Sequence, residues 1–173
     1  MKTCLLLLVL TAATAAPLRA QNIPATAWSN PRRVLPDKLR EVPVGLTLWH
    51  TPNPNYPEPN PDKPGAFLWK HSTFLRSEVG PMEVVECGSF IWYDATGWKQ
   101  NMVETPAEFA ELFRCPGGRL QPGVTYSFAK NYRYADNARQ LYGGDALWYI
   151  LARDAAGRLY KGLGLLETEA TVR

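Results

Sequence analysis

"MEVVECGSFIWYDATGWKQNMV", Met82 to Val103, carries the clearest structural signal in the chain. Val85, Cys87, Ile91 and Tyr93 share one parity, the period of a β-strand with one face turned inward. The run then meets "DATG", residues 94–97, a tight-turn composition, and resumes as "WKQNMV". Two such segments joined by a short turn predict an antiparallel hairpin. Gly88 lies mid-run, where a glycine predicts a bulge that resets the alternation.

The segments on either side repeat this theme. Upstream, "PVGLTLWHT" alternates Val44, Leu46 and Leu48 against Gly45, Thr47 and Trp49, a half-buried strand. "AFLWKHSTFLRSEV" reads as extended chain with Phe67, Trp69 and His71 on one face. Between these two lies "HTPNPNYPEPNPDKPG", His50 to Gly65, with six prolines in sixteen residues. Too little chain precedes it for a separate domain, so it predicts a stiff loop within one domain, 51–65. Downstream, "ETPAEFAELFRCPGG" is a helix signature. Thr105 is an N-cap, Pro106 takes the first helical position, Glu108 completes a capping box, and Phe109, Leu112 and Phe113 form one apolar stripe. Cys115 and the following "PGG" stop it. "QPGVTYSFAKN" reads as a turn and a strand, and "YADNARQLYGGD" as a short helical turn ended by glycines. "ALWYILARDAAGRLYKGLGLLETEATV" predicts a terminal hairpin about "DAAG". The fold expected is mainly β: an antiparallel β-sandwich or partly open barrel with one docked α-helix, about 106–114, and the proline-rich loop.

The N-terminus, "MKTCLLLLVLTAATAAPLRAQ", has a positive first turn, an apolar run and a small-residue cleavage pattern. It reads as a secretory signal peptide, residues 1–20, cut between Ala20 and Gln21, which leaves one domain, 21–173, in a periplasmic or extracellular compartment. The apolar run is too short to span a bilayer, so no transmembrane helix is expected in the mature chain. The whole chain has a formal net charge of +3, but loss of Lys2 and Arg19 leaves seventeen basic residues facing sixteen acidic ones. That balance argues against nucleic acid as a partner. Two cysteines remain after cleavage, and export predicts a Cys87–Cys115 disulfide that staples helix to sheet.

Motifs for chemistry are sparse. No Gly-X-Ser-X-Gly elbow and no phosphate-binding loop occur. Ser72 follows His71, but neighbours on a strand point to opposite faces. Glu83 and Glu86 differ in parity, Asp94 suits a turn, and Glu108 belongs to the capping box, so no carboxylate pair presents itself for glycoside cleavage. His50 and His71 bracket the proline-rich loop, whose ends can bring them together. With Glu86, or Glu83, they could form a two-His-one-carboxylate metal site. The competing reading is two ordinary histidines and no cofactor.

Six Trp and eight Tyr are many for one domain. Most tryptophans fall in strand segments and read as core. "YSFAKNYRYADNARQLY" differs, because tyrosines interleave with basic and amide residues. Tyr126, Lys130, Asn131, Tyr132, Arg133 and Tyr134 are therefore the candidate ligand-binding set, suited to stacking and hydrogen bonding with a sugar or protein surface. Packing of these tyrosines on a sheet edge is the alternative. The expectation is an exported, non-catalytic binding module for a cell-envelope glycan or protein. The alternatives are a small extracytoplasmic polysaccharide hydrolase or lyase, and a metal protein using His50 and His71.

Overall fold

A computed structural model describes residues 33–92 and 97–173. The leader with its cleavage position, and the turn residues 94–96, lie outside them. The described chain forms three antiparallel sheets and one docked helix. The largest sheet has the order β11-β10-β5-β6, from β5 (Met82–Trp92), β6 (Lys99–Glu104), β10 (Gly144–Arg153) and β11 (Leu159–Thr168), with the short β7 (Arg119–Leu120) pairing on β5. A second sheet has the order β1-β4-β8, from β1 (Leu46–Thr51), β4 (Ser72–Ser77) and β8 (Thr125–Phe128). A third, smaller sheet joins β2 (Glu58–Pro59), β3 (Phe67–Trp69) and β9 (Arg133–Ala135). The mainly β, sandwich-like architecture read from the sequence is the one observed.

β10 explains why the large sheet lies at the centre. Its even and odd positions are both apolar, and both faces are buried. Trp148, Ile150 and Ala152 join Leu46, Leu48 and Leu75 of the second sheet in the main core. Leu147, Tyr149 and Leu151 join Leu39 and Phe90 on the outer face. The N-terminal segment covers that outer face. Its short helix α1 (Asp37–Arg40) buries Leu39, and the Lys161 ammonium donates to the Leu39 carbonyl at 2.5 Å. β1 reaches β11 through backbone bonds, Gly45 N to Lys161 O and Lys161 N to Pro43 O, at 3.1 and 2.8 Å. Close approach is possible there because β11 alternates glycine. An added Cβ at Gly164 would lie 2.9 Å from His50 Nε2 and 3.0 Å from Leu48 Cγ.

The alternation in β5 resets at positions other than Gly88. The register against β10 slips between Val84 and Glu86, so Val85 and Glu86 both turn to the outer face while Val84 and Cys87 enter the main core. A second slip, against β6, falls between Ser89 and Phe90 and makes Asn101 the extra residue of β6. Gly88 instead lacks a side chain because the Tyr149 hydroxyl and the Met102 carbonyl occupy that space, each 2.5 Å from where its Cβ would stand.

The helix α2 spans Pro106–Leu112, two residues short of the expected end, with Phe113 as C-cap and Arg114 in a left-handed turn at φ 51°. Its capping box forms as expected. Phe109 and Phe113 stack at 4.6 Å and are buried against the main core, each stabilising the docking by about 2–3 kcal/mol. The expected Cys87–Cys115 disulfide is not formed: both are buried free thiols. Apolar packing does the stapling that the disulfide was expected to do, for both sulfurs belong to the same core as Phe109 and Phe113.

The proline-rich loop stays within the domain and is mostly exposed, with two departures from a plain surface loop. Glu58–Pro59 pairs with β3, and Asn55 is buried, donating to the Glu167 carbonyl at 2.8 Å and accepting from Glu169 N at 2.8 Å. The loop is thereby clipped to the end of β11. "AFLWKHSTFL" likewise splits into β3 and β4, which belong to different sheets.

Candidate functional site

The second slip in β5 and the split between β3 and β4 open a space at one end of the large sheet. There the third sheet stands across from β5, β6, β10 and β11, and encloses a cavity of about 360 Å3. Its floor is apolar, from Ile91, Met102, Ala146, Trp148 and Leu166. Its polar groups are Ser89, Asn101, Asn131, Thr168 and His71. Tyr132, Tyr134 and Tyr142 form the aromatic side, and Tyr134 and Tyr142 are 65% and 50% exposed, as residues at a mouth are. A few convergent polar groups over an apolar floor make a usual small-molecule site.

Each polar group has a structural reason to be there. The β6 bulge turns Asn101 to the same side as Met102, and Asn101 Nδ2 donates to Ser89 Oγ at 3.0 Å. Gln100 satisfies the backbone that the bulge frees, donating to the carbonyls of Ser89 and Met102 at 2.9 and 2.7 Å. Asn131 pins the β8–β9 connection to β4: its backbone N–H donates to the His71 carbonyl at 3.1 Å and its amide to Thr73 Oγ1 at 2.7 Å. Arg133 rivets the wall. Its guanidinium lies 4.3 Å from the Trp69 ring and 5.0 Å from the Tyr142 ring, and donates to Thr168 Oγ1 and the Tyr142 carbonyl. The carboxylate in the lining, Asp145, is ion-paired with Arg33.

His71 is 5% exposed. Its Nδ1 edge faces the Trp69 carbonyl at 3.3 Å and the Asn55 amide nitrogen at 3.2 Å, and neither residue lines the cavity. His71 itself borders the cavity, but its Nε2 is buried and has no hydrogen-bond partner among the described residues. Burial holds the imidazole down to about 4, against the Trp69 hydrogen bond that acts to raise it, so the ring is neutral at pH 7.

His50 lies beside it, with ring centroids 5.8 Å apart. The loop thus brings the two histidines together as expected, but they do not converge on one ligand. His50 Nδ1 engages Thr73 Oγ1 at 2.9 Å, its buried Nε2 lies against Gly164, and the residue borders a different cavity with Leu48 and Leu163. Burial, and then the neighbouring His71, lower its pKa to about 3. Glu86, the third expected metal ligand, is on the opposite face of the sheet, because the slip at Val85 turns it outward. It accepts from Lys38 at 2.7 Å and from the Tyr149 hydroxyl at 2.5 Å. Burial opposes its ionisation, but these bonds outweigh that and hold its carboxyl low. Glu83, the alternative, is exposed and pairs in register with Arg119. Among the described residues no group of three or more His, Cys, Asp or Glu side chains is placed to hold a metal.

Of the expected binding set, Asn131, Tyr132, Arg133 and Tyr134 line the cavity. Tyr126 does not. It packs on the main core, and its hydroxyl bonds Gln121 N and the Arg119 carbonyl. Lys130 is exposed on the turn before β9, outside the lining. Ser89, Asn101, Tyr142, Asp145 and Thr168 were missed as site residues. Tyr142 belongs to the same tyrosine-rich stretch and was within reach of the composition argument. The others come from strands whose pairing brings them there.

No family model matches the chain, and no curated protein matches it. Among solved structures, it is similar to a Bordetella pertussis protein described as ApaA, with 14% identity, a TM-score of 0.43, and coverage of 75% of this chain and 98% of that one. It is also similar to a Northeast Structural Genomics Consortium target, SoR45, with 8% identity, a TM-score of 0.41, and coverage of 72% of this chain and 83% of that one.

Proposed function

We propose that the protein is an exported, non-catalytic binding module whose cavity takes a cell-envelope glycan. The observation that carries this reading is the cavity itself: two exposed tyrosines at the mouth of an apolar-floored pocket, with the Ser89 hydroxyl and the Asn101 and Asn131 amides in its lining. A sugar has this composition in reverse, with apolar ring faces for aromatic side chains and hydroxyls for amide and hydroxyl side chains. Export rests on the leader. The lack of catalysis rests on the lining. Two-carboxylate glycoside cleavage needs an acid and a second carboxylate across the ligand, and among the described residues the lining supplies Asp145, already ion-paired with Arg33.

The test is calorimetric titration of envelope oligosaccharides into protein recovered after expression of the whole chain. Tyr134→Ala and Tyr132→Ala are each expected to weaken binding about tenfold, the effect of losing roughly 1.4 kcal/mol of contact. The melting temperature should stay within about 2 °C of the parent for Tyr134→Ala, since an exposed side chain contributes little to stability. Unchanged affinity in both variants, or release of new reducing ends from the oligosaccharide, would overturn the reading.

A further inference from the structure

We infer that the outer edge of the large sheet, β6, is an interface for a second copy of this chain, which adds its own β6 antiparallel across a two-fold axis. Among the described residues β6 pairs with β5 alone and is the last strand of its sheet. An outer strand leaves alternate backbone N–H and C=O groups pointing away from the sheet, a template for another strand. The opposite edge is covered, because β11 bonds the segment leading into β1 through Gly45, Lys161 and Pro43. On β6 no backbone bond runs from residues 99–104 to any segment but β5 among the described residues. Val103, within this strand, is 53% exposed.

The occupant is read from the strand itself. "KQNMVE" carries a cation at its first position and a carboxylate at its last. Run antiparallel against a copy, Lys99 stands opposite Glu104, Gln100 opposite Val103, and Asn101 opposite Met102. Residues set opposite one another must also share a face of the sheet. In a regular strand Lys99 and Glu104, an odd number of residues apart, would not. The Asn101 bulge restores the match. Lys99 pairs with Ile91 and Glu104 with Cys87, both on the main-core face, whereas Gln100 pairs with Phe90 and Val103 with Gly88, on the Tyr149 face. Asn101 and Met102 both turn to the cavity. All three pairs therefore agree in face, and the charged pair agrees in sign. A parallel arrangement would set Lys99 on Lys99, and a slipped register would leave the charges unmatched. An edge lysine and a bulge commonly guard a sheet against such pairing. Here the lysine meets a glutamate, and the bulge is what aligns them. Glu104 has its own use for a cation, since burial and then the neighbouring Glu108 raise its carboxyl. Asn101 and Met102 flank the axis and line the cavity, so the pairing sets two cavities near each other on one continuous sheet, an arrangement that lets a polymer be held twice.

The experiment needs no sugar, so its outcome is separate from that of the glycan titration. Analytical ultracentrifugation of protein recovered after expression of the whole chain should show a monomer–dimer equilibrium. Lys99→Glu and Glu104→Lys should each weaken it about tenfold or more, because attractive cross-strand pairs become repulsive ones. Lys99 is exposed, so its variant tests the interface whatever Glu104→Lys does to the adjacent helix cap. Mixing the two variants should restore dimers, since one copy then presents acids at both positions and the other presents lysines. That rescue belongs to this antiparallel register. A parent chain that stays monomeric up to about 1 mM overturns the inference. So do dimers that Lys99→Glu leaves as tight as the parent's, which would place the contact elsewhere. Two folded single variants that fail to pair when mixed overturn it as well.

Discussion

At the scale of single residues, the two histidines give the sharpest handle on stability. Both are neutral in the folded chain, His71 held to about 4 and His50 to about 3, with burial the first cause in each. In the unfolded chain both take up protons near 6.5. The unfolded state therefore binds more protons below that value, and stability falls as the pH drops from about 6.5 toward 4. The slope reaches about 1.4 kcal/mol for each histidine per pH unit. The carboxyls held low, Glu78, Glu86 and Asp154, lose their contribution only below their ordinary range, while Glu104, raised by burial and by the neighbouring Glu108, acts in the opposite sense, so removal of the two rings is what isolates the histidines. Urea unfolding across that window should show the fall, and a His50→Gln, His71→Gln double variant should flatten it. An unchanged slope in the double variant would sink the assignment. The proximity of these two rings was legible because the proline-rich stretch had to be a loop with near ends. Their divergence was not, since which way each Nε2 points depends on Gly164 and on the Trp69 carbonyl, partners distant in sequence or set by the β3–β4 break.

At the scale of elements, local chemistry was the readable part. The capping box at Thr105 and Glu108, the "DAAG" turn and the terminal hairpin it closes all concern neighbours in sequence, and all form as expected. What local chemistry does not encode is which strand lies against a given face. The alternation in β5 predicted one inward face, yet the slips at Val85 and Asn101 answer to β10 and β6 and relocate Glu86 and Asn101. Asn101 reached the cavity, and Glu86 left the proposed metal set, for that reason. The glycines of β11 are the same kind of case. In sequence, "KGLGLL" looks like a weakened strand, because glycine lowers strand propensity. In the fold, Gly162 and Gly164 let β1 cross close to β11, with an added Cβ at Gly162 falling 2.8 Å from that of Leu46. Gly164→Ala should therefore destabilise by about 1–3 kcal/mol, because the new methyl meets the Leu48 backbone carbonyl at 3.1 Å as well as the His50 ring. A thermal melt no lower than the parent's would show that β1 can shift away, and that the glycine is there for another reason.

At the scale of the whole molecule, the question is why a chain with one large sheet needs its N-terminal segment. A sheet with both faces apolar must be covered twice. The β1-β4-β8 sheet and α2 cover one face, and residues before β1 cover the other. The cover is held by more than apolar contact. Lys38 bonds Glu86 and the Tyr149 hydroxyl and lies 4.3 Å over the Tyr149 ring, while Lys161, itself buried, reaches back to the α1 carbonyls of Leu39 and Arg40. Burial lowers the Lys161 pKa, a cost that the ordered carbonyls offset. "NPRRVLPDKLR" is a densely basic stretch, a composition that suits a solvated face. Leu39 among those charges is fully buried, and Leu35, four residues earlier, packs on the same cluster, an i, i+4 pair too short to stand out as a helical stripe. If the segment is a structural cover, Leu39→Ala should cost about 2–5 kcal/mol, the range for a core leucine whose cavity does not collapse. Chemical denaturation should show the midpoint fall with the m-value unchanged, as for loss of packing within one cooperative unit. A loss under about 1 kcal/mol would mean that the outer face of β10 tolerates exposure and that the segment is an appendage. A fall in m-value together with early proteolysis before Val42 would mean that it unfolds separately from the sheet it covers.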